Sequence, residues 1–128
     1  MNTQVMHDVL VASQAGQMVF PEAVRRLMEA GVESYMCDLA SGAETFYTSE
    51  GGTHVEKMML PILPVAPDFS ADEVKAAIRG AQADTIRYPE FMQRAAAAGV
   101  IAYWAFLSGR KVVYFGRKGE SHTELFPK

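Results

Sequence analysis

The chain is written twice. Displaced by 68 positions, the 128-residue sequence sets Phe20-Pro21-Glu22 on Tyr88-Pro89-Glu90. Over residues 14–39, ten of 26 positions coincide, among them Gln14/Gln82, Ala15/Ala83, Arg26/Arg94, Ala30/Ala98, Gly31/Gly99, Val32/Val100, Tyr35/Tyr103 and Leu39/Leu107. Ordinary amino-acid usage would give about two. Two copies of such a long period do not make a solenoid. They point to two like units related by a pseudo-twofold axis. Beyond residue 39 the matches Ser41-Gly42/Ser108-Gly109, Tyr47/Tyr114 and Gly52/Gly119 imply one residue lost at the turn. His54/His122 and Glu56/Glu124 imply one regained.

Each copy reads as helix, helix, β-hairpin. Val5, Met6, Val9 and Leu10 form a helical stripe, as do Val74, Ile78 and Ala81 behind the capping box Ser70-Ala-Asp-Glu73. The second helix opens at Pro21 or Pro89, where a missing N–H costs nothing, with Glu22 or Glu90 at the positive end of its dipole. Its inward faces are Phe20, Ala23, Val24, Leu27 and Met28 in one copy, and Tyr88, Phe91, Met92, Ala95 and Ala96 in the other. Gly31 and Gly99 stand where a left-handed C-cap ends a helix. The hairpins follow, at 32–39 with 44–49 and at 100–107 with 111–116, each turning at Ser-Gly. The expected architecture is therefore a single α+β domain over 1–128, with repeats at 1–57 and 69–128. Its antiparallel sheet carries the helices largely on one face. The linker at 58–68 holds Pro61, Pro64 and Pro67, a spacing that favours extended polyproline II, either lying over the core, as its Ile, Leu and Val suggest, or offered as a PxxP ligand to another domain.

Alternation along a strand sorts the hairpin residues onto two faces. Tyr35, Cys37, Leu39, Thr45 and Tyr47 read as the inward face of the first copy. Tyr103, Ala105, Leu107, Val112 and Tyr114 are their counterparts in the second. The other face of the first hairpin, with Ser34, Met36, Asp38, Phe46 and Thr48, is mixed and wet. That of the second, with Ala102, Trp104, Phe106, Val113 and Phe115, is apolar. An antiparallel hairpin needs only one apolar face. Three aromatics of about 150–250 Å² each need a cover. The first hairpin or the linker, a second copy of the chain in a homodimer, or a small apolar ligand could supply it. The candidate binding residues are accordingly Trp104, Phe106, Val113 and Phe115, with Tyr103, Tyr35, His54 and His122.

Composition narrows the function. The chain is 49% hydrophobic and 21% charged with a net charge of −3, a poor match for polyanionic nucleic acid. A winged-helix reading would place helix 22–30 or 90–98 on DNA, yet its basic residues are only Arg25 and Arg26, or Arg94; Arg110, Lys111, Arg117 and Lys118 sit on the second hairpin. The lone Cys37 excludes an intrachain disulfide and a cysteine zinc site, and its inward position makes it an inert thiol. The longest apolar stretch, 58–67, is broken by proline, and residues 1–14 lack the basic start of a signal peptide; a cytoplasmic protein without membrane association is expected.

No P-loop, GxGxxG or GxSxG motif is present, and no cofactor is implied. One chemical motif remains, His54-Val-Glu56 with His122-Thr-Glu124. In an extended segment each imidazole and carboxylate point the same way. Two such pairs meeting at the pseudo-axis could form a metal-dependent or small-ligand enzyme centre. The plainer reading is a pair of polar edge positions, with His7 solvated and without a partner.

The string Ile86-Arg-Tyr-Pro-Glu-Phe-Met92, followed by Ala98-Gly-Val100, Val113-Tyr-Phe-Gly116 and Gly119-Glu-Ser-His122, resembles a family of uncharacterised bacterial proteins. They are often prophage-encoded and are typified by the YdfO and YbcV proteins of enteric bacteria. The resemblance covers nearly the whole chain and implies a compact α+β domain. Some members carry the label "phage envelope protein", and no catalytic residue or cofactor transfers with it. Taken together, the residues point to a small non-enzymatic binding or assembly module that uses an apolar sheet face.

Overall fold

The computed structural model describes residues 1–58 and 63–127. In it every element of the first half recurs 68 residues later. Helices α1 (Thr3–Gln14) and α2 (Phe20–Glu29) precede strands β1 (Val32–Asp38), β2 (Ala43–Thr48) and β3 (Thr53–Lys57). Helices α3 (Ala71–Gln82) and α4 (Tyr88–Ala97) precede β4 (Val100–Phe106), β5 (Lys111–Gly116) and β6 (Ser121–Leu125). The strands form one antiparallel sheet in the order β3-β2-β1-β4-β5-β6. Met36 lies opposite Trp104 in the central β1–β4 pair, and these two positions are themselves equivalent. The pseudo-twofold axis passes between them.

Local chemistry accounts for the boundaries. The Ser70 hydroxyl accepts from the Glu73 amide, and the Asn2 side chain accepts from the Val5 amide, satisfying donors the helices leave free. Pro21 and Pro89 lie in the first turns of α2 and α4. Gly31 and Gly99 turn the chain from helix to strand with φ of 88° and 93°.

Three expectations are corrected. Each unit ends in a third strand rather than at a hairpin, so the sheet has six strands and β3 and β6 are its edges. No residue is lost at the first turn. The left-handed position there is Gly42 (φ 75°) in one copy and Arg110 (φ 57°) in the other, 68 apart, so the Ser-Gly identity misaligns the halves. Arg110 holds that conformation while its guanidinium donates to the Pro127 carbonyl and its own carbonyl accepts from the Phe126 amide.

The third correction follows from the second. Tyr35 pairs with Phe46 and Cys37 with Glu44, so Phe46 and Glu44 face the helices, whereas Thr45 and Tyr47 face away. The second copy has the faces expected of it. Tyr103, Ala105, Val112 and Tyr114 are buried on the helix side, and Ala102, Trp104, Phe106, Val113 and Phe115 are half-buried on the other.

The core lies between the sheet and the helices. Met6, Val9, Leu27, Val74, Ile78, Met92, Ala95 and Ala96 meet Cys37, Leu39, Phe46, Ala105 and Leu107 there. Phe20, Met28 and Ala81, read as inward, are exposed, and Ala77 is buried in the place expected of Ala81. In the linker, Leu63 and Val65 pack against the core and the Ala66 amide donates to the Ala96 carbonyl. Pro61 lies outside the described residues.

Candidate functional site

The helix layer does not fill the groove over the sheet. A cavity of about 500 Å³ remains between them, within the roughly 300–1,000 Å³ of small-molecule sites. Both halves line it. Tyr35 and Tyr103 contribute from the central strands, Phe46 and Tyr114 from their neighbours, and Val9, Leu10, Ala23, Leu27, Ile78 and Phe91 from the helices. The mouth lies where the α1–α2 connection, the α3–α4 connection and residues 124–127 converge. There Phe20 and Phe126 meet edge to face at 5.6 Å, beside exposed Val19 and Leu125. Arg87 at the mouth donates to the Gly16 carbonyl and pairs with Asp84.

One wall carries a charge-bearing group. Glu44 is only 4% exposed, and its Oε2 has no hydrogen-bond partner among the described residues. Burial pushes its carboxyl up from the ordinary 4.5 to about 8, and the neighbouring Glu56 adds to the shift. Around it stand hydroxyls. Tyr88 and Tyr103 are joined at 3.1 Å, and the Cys37 thiol lies 3.8 Å from Tyr88 and 3.5 Å from the Met58 sulfur. Burial raises Tyr35, Tyr88 and Tyr103 well above the ordinary tyrosine range and does the same to Cys37. All four are neutral near pH 7. The cavity thus offers apolar walls, a few neutral hydroxyls and one unpaired carboxyl.

The expected site residues divide into three groups. Trp104, Phe106, Val113 and Phe115 lie together on the face away from the helices. Tyr47 of the first copy stacks on Trp104 at 5.4 Å, and Trp104 on Phe106 at 5.4 Å, a continuous row that keeps Ser34 buried beneath it. Part of the expected cover is therefore the first hairpin itself. Tyr35 and Tyr103 lie on the opposite side, their rings 6.2 Å apart in the cavity wall.

His54 and His122 lie on the two edge strands, five strand spacings or about 24 Å apart, so the His-x-Glu pairs do not converge. Among the described residues no three His, Cys, Asp or Glu side chains are grouped so as to hold a metal ion. The motif instead pins each edge strand to the first helix of its unit. Glu56 accepts from His7 at 2.8 Å and from His54, and Glu124 accepts from Arg79 at 2.8 Å and from His122. Partial burial opposes ionisation of both glutamates, but these donors outweigh it and hold both carboxyls below the ordinary value. His7, expected to be solvated alone, is raised by its bond to Glu56. The basic residues of α2 and α4 are partly neutralised within their own helices, Arg25 by Glu29 and Arg94 by Glu90. No described helix is long and apolar enough to cross a membrane.

Glu44 was missed because the misread turn sets it against Lys111. In the true register its counterpart is Val112, and a carboxylate in one copy where the other has buried valine is the signal that marks it.

Fold and cavity together define a class, a duplicated α+β protein with four helices over one face of a six-stranded antiparallel sheet and a chamber at the junction of its halves. The chain belongs to the family described as "Protein of unknown function (DUF1398)", whose pattern matches residues 10–124. Comparison with curated proteins finds no match.

Proposed function

We propose that the chain is a small non-enzymatic binding module, a single domain that holds a mostly apolar small molecule in the chamber between helices and sheet. The observation that carries this reading is the cavity of about 500 Å³ with predominantly apolar walls and a mouth at Phe20 and Phe126. Apolar ligands gain affinity from leaving water, and a preformed chamber spares them most of the ordering cost. The test is calorimetric titration with naphthalenemethanol. Binding is expected in the wild type and lost in Ala23→Phe, which fills the chamber with the side chain found at equivalent Phe91. Equal binding by both proteins would count against the chamber.

A second reading rests on the row Tyr47–Trp104–Phe106. Its indole N–H is buried without a partner among the described residues, and Val113 and Phe115 extend the same apolar surface. On this reading the face joins two copies in a homodimer. Sedimentation should then show a dimer that Trp104→Glu converts to a folded monomer. A wild-type monomer at high concentration would end it. From the resemblance to the YdfO and YbcV proteins we infer a bacterial, prophage-related setting for either role.

A further inference from the structure

We propose that the ligand of the chamber carries an amine, and that Glu44 is the group that recognises it. This deepens the reading of the cavity as a binding site and rests on it.

Three observations converge. Glu44 is the deepest charge-bearing group of the wall, and its Oε2 faces no donor among the described residues. An acceptor left dry and unpaired in a native core costs stability, and a ligand donor would restore the missing bond. The other acidic groups of the lining are already engaged, Glu124 by Arg79 and Asp84 by Arg87. Arg87, the lining's one cation among the described residues, is held at the mouth by Asp84 and the Gly16 carbonyl. A carboxylate ligand would therefore meet Glu44 without a free cation beside it. A nitrogen donor meets an acceptor.

The duplication sharpens the point. Tyr35 and Tyr103 match across the axis, as do Phe46 and Tyr114, but Glu44 stands opposite Val112. The chamber is nearly symmetric in shape and one-sided in charge. It thus suits a molecule with an apolar body and one polar nitrogen end. The hydroxyls of Tyr35, Tyr88 and Tyr103 are neutral and can accept further N–H bonds.

The proton balance follows. At neutral pH the amine arrives as an ammonium ion and Glu44 is mostly protonated. Pairing them leaves ammonium on carboxylate and releases one proton to solvent. The groups facing Glu44 are Glu56, with His7 and His54 on it, from α1 and β3, Cys37 and Tyr35 from β1, Tyr103 from β4 and Tyr88 from α4. Of these, Glu56 is held below the ordinary carboxylate range by its donors, and His7 is the group raised toward the range of Glu44.

The test compares naphthylmethylamine, naphthalenemethanol and naphthoate, three probes alike in body and different in head group, by calorimetry. Amine affinity for the wild type should rise about tenfold from pH 6 to pH 7, following the ionised fraction of Glu44, with close to one proton released per amine bound. The alcohol should show neither effect, and naphthoate should bind weakest. In Glu44→Gln the amine should fall about tenfold at pH 8, to the level of the alcohol, and lose its pH dependence. Amine and alcohol binding alike, or naphthoate binding tightest, overturns the role of Glu44 while the chamber stands. Failure of all three probes overturns both. If Glu44→Gln does not fold, proton release by the wild type decides, and a value near zero at pH 6 refutes the pairing.

Discussion

Replacing Glu44 by glutamine removes a buried ionisation opposed by desolvation and leaves the shape of the wall almost unchanged. The folded carboxyl titrates near 8 against an ordinary 4.5, so the folded state holds this proton more tightly than the unfolded chain does. The sign is fixed by that order. The group's contribution to stability is fully present below pH 4.5, declines as pH rises, and levels off above 8. Each pH unit between the two values removes about 1.4 kcal/mol. From pH 5.5 to pH 7.5 the wild type should therefore lose about 2.5 kcal/mol relative to Glu44→Gln. Groups not coupled to Glu44 cancel in the difference, and Glu56, held below the ordinary carboxylate range, is ionised throughout this window in both proteins. Urea denaturation of the two proteins across this range, read by far-ultraviolet circular dichroism, measures it directly. A difference independent of pH would refute the claim that Glu44 is buried without a partner.

Three further outcomes are expected. A Cβ at Gly99 would clash with the Asp68 carbonyl oxygen, whereas Gly31, with nearly the same φ, has nothing within 4 Å, so Gly31→Ala should cost only about 1–2 kcal/mol in denaturant and Gly99→Ala at least about 2 kcal/mol more. Proton NMR should place the His7 titration above 6.5 in the wild type and nearer 6.5 in Glu56→Gln; the bond acts on His7 below its raised value and on Glu56 above its lowered one, so Glu56→Gln should destabilise most between the two. Tyr47→Ala should cost about 1 kcal/mol beyond the area lost and shift Trp104 emission to longer wavelength, because it strips one ring from the stack.

The helices were legible because their signals are local. Proline in a first turn, glycine after a last turn and a serine cap each act within a few residues, and each stands where it was read. The third strands were not. Thr53–Lys57 and Ser121–Leu125 are short and polar, and only pairing with β2 and β5 makes them strands. The turn misled for a related reason. Glycine advertises a left-handed residue, but Arg110 adopts that conformation with tertiary support, so the visible Gly109 drew the alignment one place aside.

That single step moved every side chain of β2 to the wrong face, because side-chain direction reverses at each residue of a strand. In the displaced register Tyr47 falls in the core, Phe46 falls outside it, and Glu44 matches Lys111 instead of buried Val112. The duplication, the order of helices and hairpins, and the doubly apolar second hairpin are legible along the chain because all are properties of sequence neighbours. Three features come from the folded arrangement: the parting of the His-x-Glu pairs to opposite edges, the cover of Trp104 by Tyr47, and an unpaired carboxyl facing a chamber between the halves. Those depend on which strands meet and which helices fall short of one another, and such contacts link residues tens of positions apart.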